Sequence, residues 1–515
     1  MLNKQTDPLE AHHTPDDSKK LEQYFYPFRC KTIGVEQPYI THYGKQTMLY
    51  ADWAASGRLY EPIESAISKT FGPYMANTHT DSSHSGQIIS QAYQTARQII
   101  KKHVHASRED VLLLPGPGMT SAINKLQRLL GLKAPAWLHP LRSSVTWGHH
   151  DHDRPVIFVS HMEHHSNHIS WEETVGEVIL VDPGPNGDVC PNELRRALKY
   201  FQNRSYKIGA FTACSNVTGL TTPYHSLARA MHEYGGLCFI DFSASAPYVP
   251  INMHPADQLE RLDGITFSPH KFLGGPGSCG VLLLHNSLFN PCNVPDQVGG
   301  GTVEWVNPWG VRRYISDIEK REDGGTPPIL QSIRAALSIN LKEKMGLQRI
   351  KVRETHLIHL LLKELKQIPN IVVLEPDKED RLGIVSFNIT NCHYNLVVKM
   401  LSDRYGIQTR GGCSCAGPYG HYLLGIEPSH SHKIEQHIAN GDHSMKPGWI
   451  RVSIHPIMTD GEIARIIGSI AEIAYHYDTW RYDYAYNPYT NEWVHIHEQS
   501  VRIHSSKAVQ AMFEL

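Results

Sequence analysis

The chain has 515 residues, 41% of them hydrophobic and 19% charged, with a formal net charge of −2. That is the composition of a globular chain with room for two or three domains, and it offers no broad basic field for nucleic acid or anionic lipid. The opening stretch lacks the apolar run of a signal peptide, no later segment is apolar enough to span a bilayer, and the nine cysteines are scattered without a paired framework. A cytoplasmic location with reduced thiols is expected.

Residues 1 to about 20 read as a flexible tail, within an N-terminal arm assigned to 1–45. From Thr47 onward short β-rich runs alternate with helical patterns. The run 110–114 precedes the helical pattern "MTSAINKLQRLLG", 155–160 precedes a histidine-rich segment, and 177–182 precedes "PNELRRALKYF". The run 207–213 precedes "YHSLARAMHEYG", and 236–241 ends on Asp241. Continuous apolar strands separated by amphipathic helices predict an α/β fold with a mainly parallel sheet covered on both faces. Ligands gather at the carboxyl ends of such strands, so Asp241, Lys271 and the glycines after Leu114 are expected near one another. A boundary falls at 322–328, giving a large domain over 46–330, and a long helical pattern then leads into a smaller α+β domain over 331–476. An aromatic extension, 477–515, reads as an arm packed on the body or on a partner subunit.

The chemistry lies in four pieces. "LLLPGPGMTSAIN" is a strand, a glycine turn and a helix start, where Gly118, Met119 and Thr120 present N–H and hydroxyl donors to a phosphate. Asp241 is a strand-end carboxylate. "FSPHKFLGG" sets Lys271 beside His270 and Ser268, just before the apolar run "CGVLLLH". An aromatic plane is available in "MEHHSNHISW". Pyridoxal phosphate (PLP) requires such a set: a lysine that can lose its proton, a carboxylate for the pyridine nitrogen, a phosphate cup and a stacked ring. Each piece alone is common; a strand-end aspartate, for example, often serves as a helix cap.

In these motifs the chain resembles the class V aminotransferases among the fold-type I PLP enzymes, most of all the group II cysteine desulfurases and selenocysteine lyases. The resemblance runs from about Tyr50 to His476 and includes "ADWAASG", "NTHTDSSHSG", "GPGMTSAIN", "MEHHSNHISW", "ACSNVTG", "FSPHKFLGG", "GGT", "RGGCSCAGP" and "IRVSIHP". It implies that Lys271 holds PLP and moves a proton, Asp241 pairs with the pyridine nitrogen, His164 stacks on the ring and Asn216 lies near the ring hydroxyl. Gly118, Met119, Thr120, Ser268 and His270 would hold the phosphate. Thr326 would reach a neighbouring subunit's phosphate, which implies a homodimer. Arg451 would anchor an amino-acid substrate's carboxylate with Arg410 nearby, and His79 and Ala54 would line the substrate side. Cys415 stands where the desulfurases keep the cysteine that takes sulfur from L-cysteine, leaving alanine and a persulfide for a sulfur-acceptor protein. Gly411, Gly412 and Gly417 around it predict a flexible loop, and Cys413 is a second thiol that relays sulfur, traps it or plays no part.

Three departures stand out, one of them the loop "RGGCSCAGPYGHYLLG", which has one cysteine more than the usual desulfurase loop and a bulky continuation. Where the family has an Asp-x-Ala-Gln stretch, this chain reads Asp241-Phe-Ser-Ala, leaving Ser243 or Ser245 to replace the glutamine. Residues 135–155 and the aromatic extension are additions. The rival readings are another class V reaction without Cys415 (a different C–S or C–Se lysis, a decarboxylation or an epimerisation) and, further off, a metal-dependent hydrolase or a silent binding module. His164 and His168, four apart, and the stretch 148–153 suit a metal, but helix-cap and surface contacts for His165 and His168 and a solvated loop for 148–153 are the simpler expectation, so no metal is assigned. Cys190, Cys214, Cys238, Cys279 and Cys292 read as core or bystander thiols.

Overall fold

The computed structural model describes residues 15–78, 82–133, 153–290, 293–497 and 509–514. The chain divides into two compact units, Ala54–Lys344 with Gly412–Gly448, and Met1–Trp53 with Met345–Gly411 and Trp449–Leu515.

In the larger unit the apolar runs become strands β1 (Asp110–Leu113), β2 (Val156–Ser160), β3 (Glu177–Val181), β4 (Lys207–Thr212), β5 (Leu237–Asp241), β6 (Gly264–Phe267) and β7 (Val281–His285). They form one seven-stranded sheet in the order β1-β7-β6-β5-β4-β2-β3. Strands β3, β2, β4, β5 and β6 pair in parallel, and β7 runs antiparallel to both β6 and β1. Strands β2, β4 and β6 are buried at every position, whereas the edge strand β3 is partly open. That is why their sequences read as unbroken apolar runs: both faces are covered by helices. Helix Met119–Leu129 shows the cover at work, burying Met119, Ala122, Ile123 and Leu126 at the spacing of one helical face against Val111, Leu113, Ile157 and Trp171. All strands but β7 point their carboxyl ends to one edge of the sheet; Asp241 ends β5 there, and the glycine turn, the "EHH" stretch, Asn216 and Lys271 follow the other ends.

The smaller unit carries β8 (Ile371–Val373), β9 (Ile384–Ile389), β10 (Arg410–Gly412) and β11 (Trp449–Ser453) in the order β8-β9-β11-β10. Helices Leu347–Leu365, Tyr394–Tyr405 and Asp460–Trp480 accompany them. The last is started by a capping box in which Thr459 and Glu462 satisfy each other's backbone N–H. Helix Pro15–Cys30 belongs to this unit and is tied in by Arg353, whose guanidinium donates to Glu22, Ser18 and the Met458 carbonyl and pairs with Asp460. The aromatic extension folds back as a hairpin, β12 (Tyr484–Asn487) and β13 (Glu492–His495). Tyr486 and Trp493 pack their rings on His393, and Asn395 donates to the Asn491 carbonyl at the turn.

Glu354 in the same unit is fully enclosed, accepts the Gly383 N–H at 2.8 Å, and has its carboxyl pushed up by burial to about 8. Between the ordinary carboxylate pKa and about pH 8 the folded chain therefore holds a proton that the unfolded chain has released. Unfolding releases that proton, so stability falls as pH rises through this window, by at most about 1.4 kcal/mol per pH unit. Glu354→Gln is expected to remove that slope and to be the more stable protein at the alkaline end. Urea denaturation of both proteins across the window checks this; parallel stability curves would refute it.

Candidate active site

The candidate phosphate cup is built from the backbone up. Gly118, the residue before helix Met119–Leu129, has φ +82°, a conformation glycine adopts without cost. A Cβ there would meet Ser268 Oγ at 3.1 Å and the His270 ring at 3.4 Å, so a side chain would fill the cradle. The Met119 N–H donates to Ser268 Oγ at 2.8 Å, and the hydroxyls of Thr120 and Ser166 lie 2.7 Å apart. Five predicted residues thus meet at the positive end of a helix, with Ser166 added. His270 is held uncharged, its pKa brought down to about 4 by burial and by the neighbouring Lys271.

Lys271 closes a short turn, 269–271, after β6. The turn is fixed from behind by close backbone packing: the Gly57 N–H donates to the His270 carbonyl, and a Cβ on Gly57 would overlap the Phe272 carbonyl. A Cβ on Gly275 would likewise overlap the Pro269 carbonyl. These contacts explain why glycine stands in "ADWAASG" and "KFLGG".

Asp241, 5% exposed at the end of β5, has its pKa raised by burial and drawn back by hydrogen bonds from Ser243 and by the charge of Lys271. Ser243 gives it both a backbone N–H (2.9 Å) and a hydroxyl (2.6 Å). Ser243 is thereby engaged with the carboxylate, and Ser245 Oγ donates to the Phe242 carbonyl at 3.4 Å.

The "EHHSNHISW" stretch resolves into two faces of one helix start. Glu163, Asn167 and Trp171 recur every fourth residue and point inward. Trp171 donates to Asn167 Oδ1, and Asn167 donates to Glu163 Oε2. Glu163 Oε1 also accepts from Ser160 Oγ at 2.5 Å and from the Thr212 N–H at 2.9 Å, joining the ends of β2 and β4. Burial, with Asp241 contributing, pushes this carboxyl up to about 7. The ladder fixes His164, the cap of helix His165–Glu172, whose Nδ1 accepts the Ser166 N–H at 3.1 Å. Sequence reading passed over Glu163. Its signal was a carboxylate directly after a buried strand, four residues before an asparagine.

The Cys415 loop lies against this helix start. The His165 N–H donates to the Cys415 carbonyl at 2.7 Å, the Gly417 N–H donates to His165 Nε2 at 2.8 Å, and Asn216 Nδ2 donates to the Ser414 carbonyl at 2.7 Å. The glycines predicted mobility; the structure holds the loop at three points. His165, expected to make only cap or surface contacts, is half-buried and grips the loop, while His168 pairs with Glu172. A continuous set of contacts therefore runs from Lys271 through Ser268, Met119, Thr120 and Ser166 to His164, His165, Cys415 and Asn216.

Thr326 is exposed and lines a cleft of about 930 Å³ together with Gly116, Thr120 and Lys125. Ala54 is buried. In the smaller unit Arg451, 1% exposed, donates to Asp52 Oδ1 at 2.6 Å, and burial with the nearby Arg410 lowers its pKa against the pull of Asp52. His79, Cys292 and the stretch 148–152 lie outside the described residues. Among the described cysteines, Cys214, Cys238 and Cys279 are buried, and Cys190, Cys413 and Cys415 are half-buried.

A helix-start phosphate cup, a buried strand-end carboxylate and a lysine within its electrostatic reach fit PLP. The family model for aminotransferase class V matches residues 49–466, and the chain belongs to that family of PLP-dependent enzymes. Among similar proteins, a probable cysteine desulfurase of Halalkalibacterium halodurans is 27% identical over 380 residues, 73% of this chain and 86% of the relative. The cysteine desulfurase of Haloferax volcanii is 26% identical over 392 residues, 74% and 84% of the two chains. The apo structure of the cysteine desulfurase of Thermococcus onnurineus superposes with a TM-score of 0.66 at 21% identity, covering 90% of this chain and 99% of the other. The structure of the cysteine desulfurase CsdA of Escherichia coli gives 0.64 at 20% identity, covering 88% and 98%. The fold is that of the fold-type I PLP enzymes. No helix among the described residues is long and apolar enough to cross a membrane.

Proposed function

We propose that the protein is a PLP-dependent cysteine desulfurase that converts L-cysteine to L-alanine and takes the sulfur onto Cys415. The observation that carries this reading is the seating of the Cys415 loop on the residues around the cofactor site, through His165 and Asn216. When bound, PLP supplies the electron sink that lets bonds at an amino acid's Cα and Cβ break. Gly118, Met119, Thr120, Ser268 and His270 would hold its phosphate, Asp241 would serve its ring nitrogen, and His164 would stack on its ring. Lys271 Nζ would hold the cofactor and, once the substrate amine has displaced it, would take the proton from the substrate Cα; Cβ and then Cα are protonated in turn, the proton of the substrate thiol supplying the extra hydrogen.

The Cys415 thiolate attacks the substrate sulfur. The Cβ–S bond breaks as an S–S bond forms, the sulfur is oxidised to the sulfane level, and Cβ is reduced to the methyl group of alanine, so no outside oxidant or reductant enters. Arg451 and Arg410 serve the substrate carboxylate, with Ala54 and His79 on the substrate side. Thr326, exposed at its cleft, serves the phosphate of a second copy in a homodimer. The persulfide then passes to an acceptor protein, and the setting is cytoplasmic.

The test is a screen of amino acids with the PLP-loaded protein, scoring alanine and sulfide together in the presence of a thiol reductant. L-cysteine is expected to give both products in equal amounts, and Cys415→Ala is expected to lower both by about 100-fold or more. Undiminished turnover in Cys415→Ala would instead favour a class V reaction that does not use this thiol.

A further inference from the structure

Ser414 and Cys415 are consecutive non-glycine residues with φ of 51° and 59°. The left-handed conformation costs an L-residue about 1–2 kcal/mol, and it persists only where the surroundings impose it. Here His165 contributes two bonds: its backbone N–H is given to the Cys415 carbonyl, and its ring Nε2 takes the Gly417 N–H. These are the two peptide groups on either side of Ala416, which is fully buried. The ring is seated so closely that a Cβ on Gly417 would stand 3.0 Å from Nε2. To accept a hydrogen bond Nε2 must carry a lone pair. Burial, helped by His168 and Lys446, disfavours the charged imidazole and keeps that lone pair available.

We propose that His165 is the latch that positions the Cys415 thiol, its ring gripping the far side of Ala416 and so holding the sulfur-accepting loop in its strained form. This rests on the reading of Cys415 as the sulfur acceptor. His165 is a positioning residue acting through the loop, distinct from His164, to which the proposed function gives the cofactor ring. Asn216 supplies the third hold at the Ser414 carbonyl, so losing the ring loosens the loop without freeing it entirely.

The experiment measures the rate at which iodoacetamide labels Cys415 in the PLP-loaded protein at one fixed pH, with peptide mass spectrometry resolving Cys415 from Cys413. Loss of one such hydrogen bond corresponds to about a tenfold change. His165→Ala is expected to raise Cys415 labelling about tenfold, leaving labelling at buried Cys238 unchanged. Gly417→Ala, whose methyl group displaces the ring, is expected to do the same. His165→Gln, which can still accept from Gly417, is expected to stay near wild type. With L-cysteine, His165→Ala and Gly417→Ala should lower kcat while leaving KM nearly unchanged.

Cys415 labelling that is the same in wild type, His165→Ala and Gly417→Ala would overturn the latch. If His165→Ala also exposes Cys238, the variant is unfolding, and Gly417→Ala with His165→Gln decides. The labelling rate does not depend on turnover: failure of the desulfurase reading would appear as alanine formation that survives Cys415→Ala, while failure of the latch would appear only in the labelling rates.

Discussion

Replacing Lys271 by alanine is expected to give a folded protein in which borohydride no longer fixes PLP to the chain and amino-acid turnover falls by about 10²–10⁴-fold, the usual worth of a positioned proton-transfer group. The side chain is half-buried at the end of a turn whose backbone is fixed by Gly57 and Gly275, so its removal leaves the packing beneath intact. It also removes the charge that draws down the pKa of Asp241, which leaves that buried carboxylate less ready to ionise. The variant should therefore bind PLP more weakly as well as turn over more slowly.

The rival amine is Lys342, fully buried, with its pKa lowered by burial to about 7. By pKa alone it is a candidate for covalent chemistry. Its geometry argues otherwise. Nζ donates to the carbonyls of Ala246 and Val249, both at 2.6 Å, and lies 3.3 Å from His103 Nε2, which leaves it committed to tying a loop down. Mass spectrometry of the reduced wild-type protein distinguishes the two: a PLP adduct on Lys342, or full turnover in Lys271→Ala, would sink the assignment.

Arg353→Met should be among the most destabilising single changes in the smaller unit, by about 3 kcal/mol. The guanidinium is 0% exposed and faces Glu22 at 2.9 Å, Asp460 at 2.7 Å, Ser18 Oγ at 3.2 Å and the Met458 carbonyl at 2.8 Å. Methionine fills much of the volume but removes the guanidinium from two carboxylates and a carbonyl, leaving Asp460 with Ser18 and His356 and Glu22 with the Asp460 N–H. The figure sits at the low end of the range for a broken buried pair because Glu22 and Asp460 are each partly open to water and can rehydrate. Urea denaturation followed by far-ultraviolet circular dichroism reads this directly. A change below about 1 kcal/mol, the scale of an exposed pair, would show that the network is not holding helix Pro15–Cys30 in place.

The sheet was legible because burial on both faces turns its inner strands into apolar runs, and the candidate site was legible because its residues sit at the ends of such runs. Lys271, Asp241 and the Gly118 turn could be found this way. Other parts needed coordinates. Helix Pro15–Cys30 has a weak apolar stripe, contains Pro27, and acquires its partners from Arg353 and Asp460 far along the chain. Glu163 looked like one more charge in a polar stretch until Ser160, Asn167 and Thr212 were seen converging on it. The glycines around Cys415 suggested freedom, yet no local pattern reveals that His165, some 250 residues earlier, restrains them. Side-chain roles that depend on distant segments leave little trace in local spacing.

The three-segment composition of the smaller unit has a consequence for biosynthesis. Ser18 donates to Asp460 across 442 residues, and Arg353 reaches Ser18 across 335. As the polypeptide emerges, helix Pro15–Cys30 appears long before any of these partners, whereas the seven-stranded sheet can begin assembling from one contiguous stretch, β1 to β7. The earlier-made helix must then wait, with its apolar side unpaired, while almost the whole chain is translated. Helix Pro15–Cys30 is therefore open to chaperone capture or aggregation until Arg353 and Asp460 have been made.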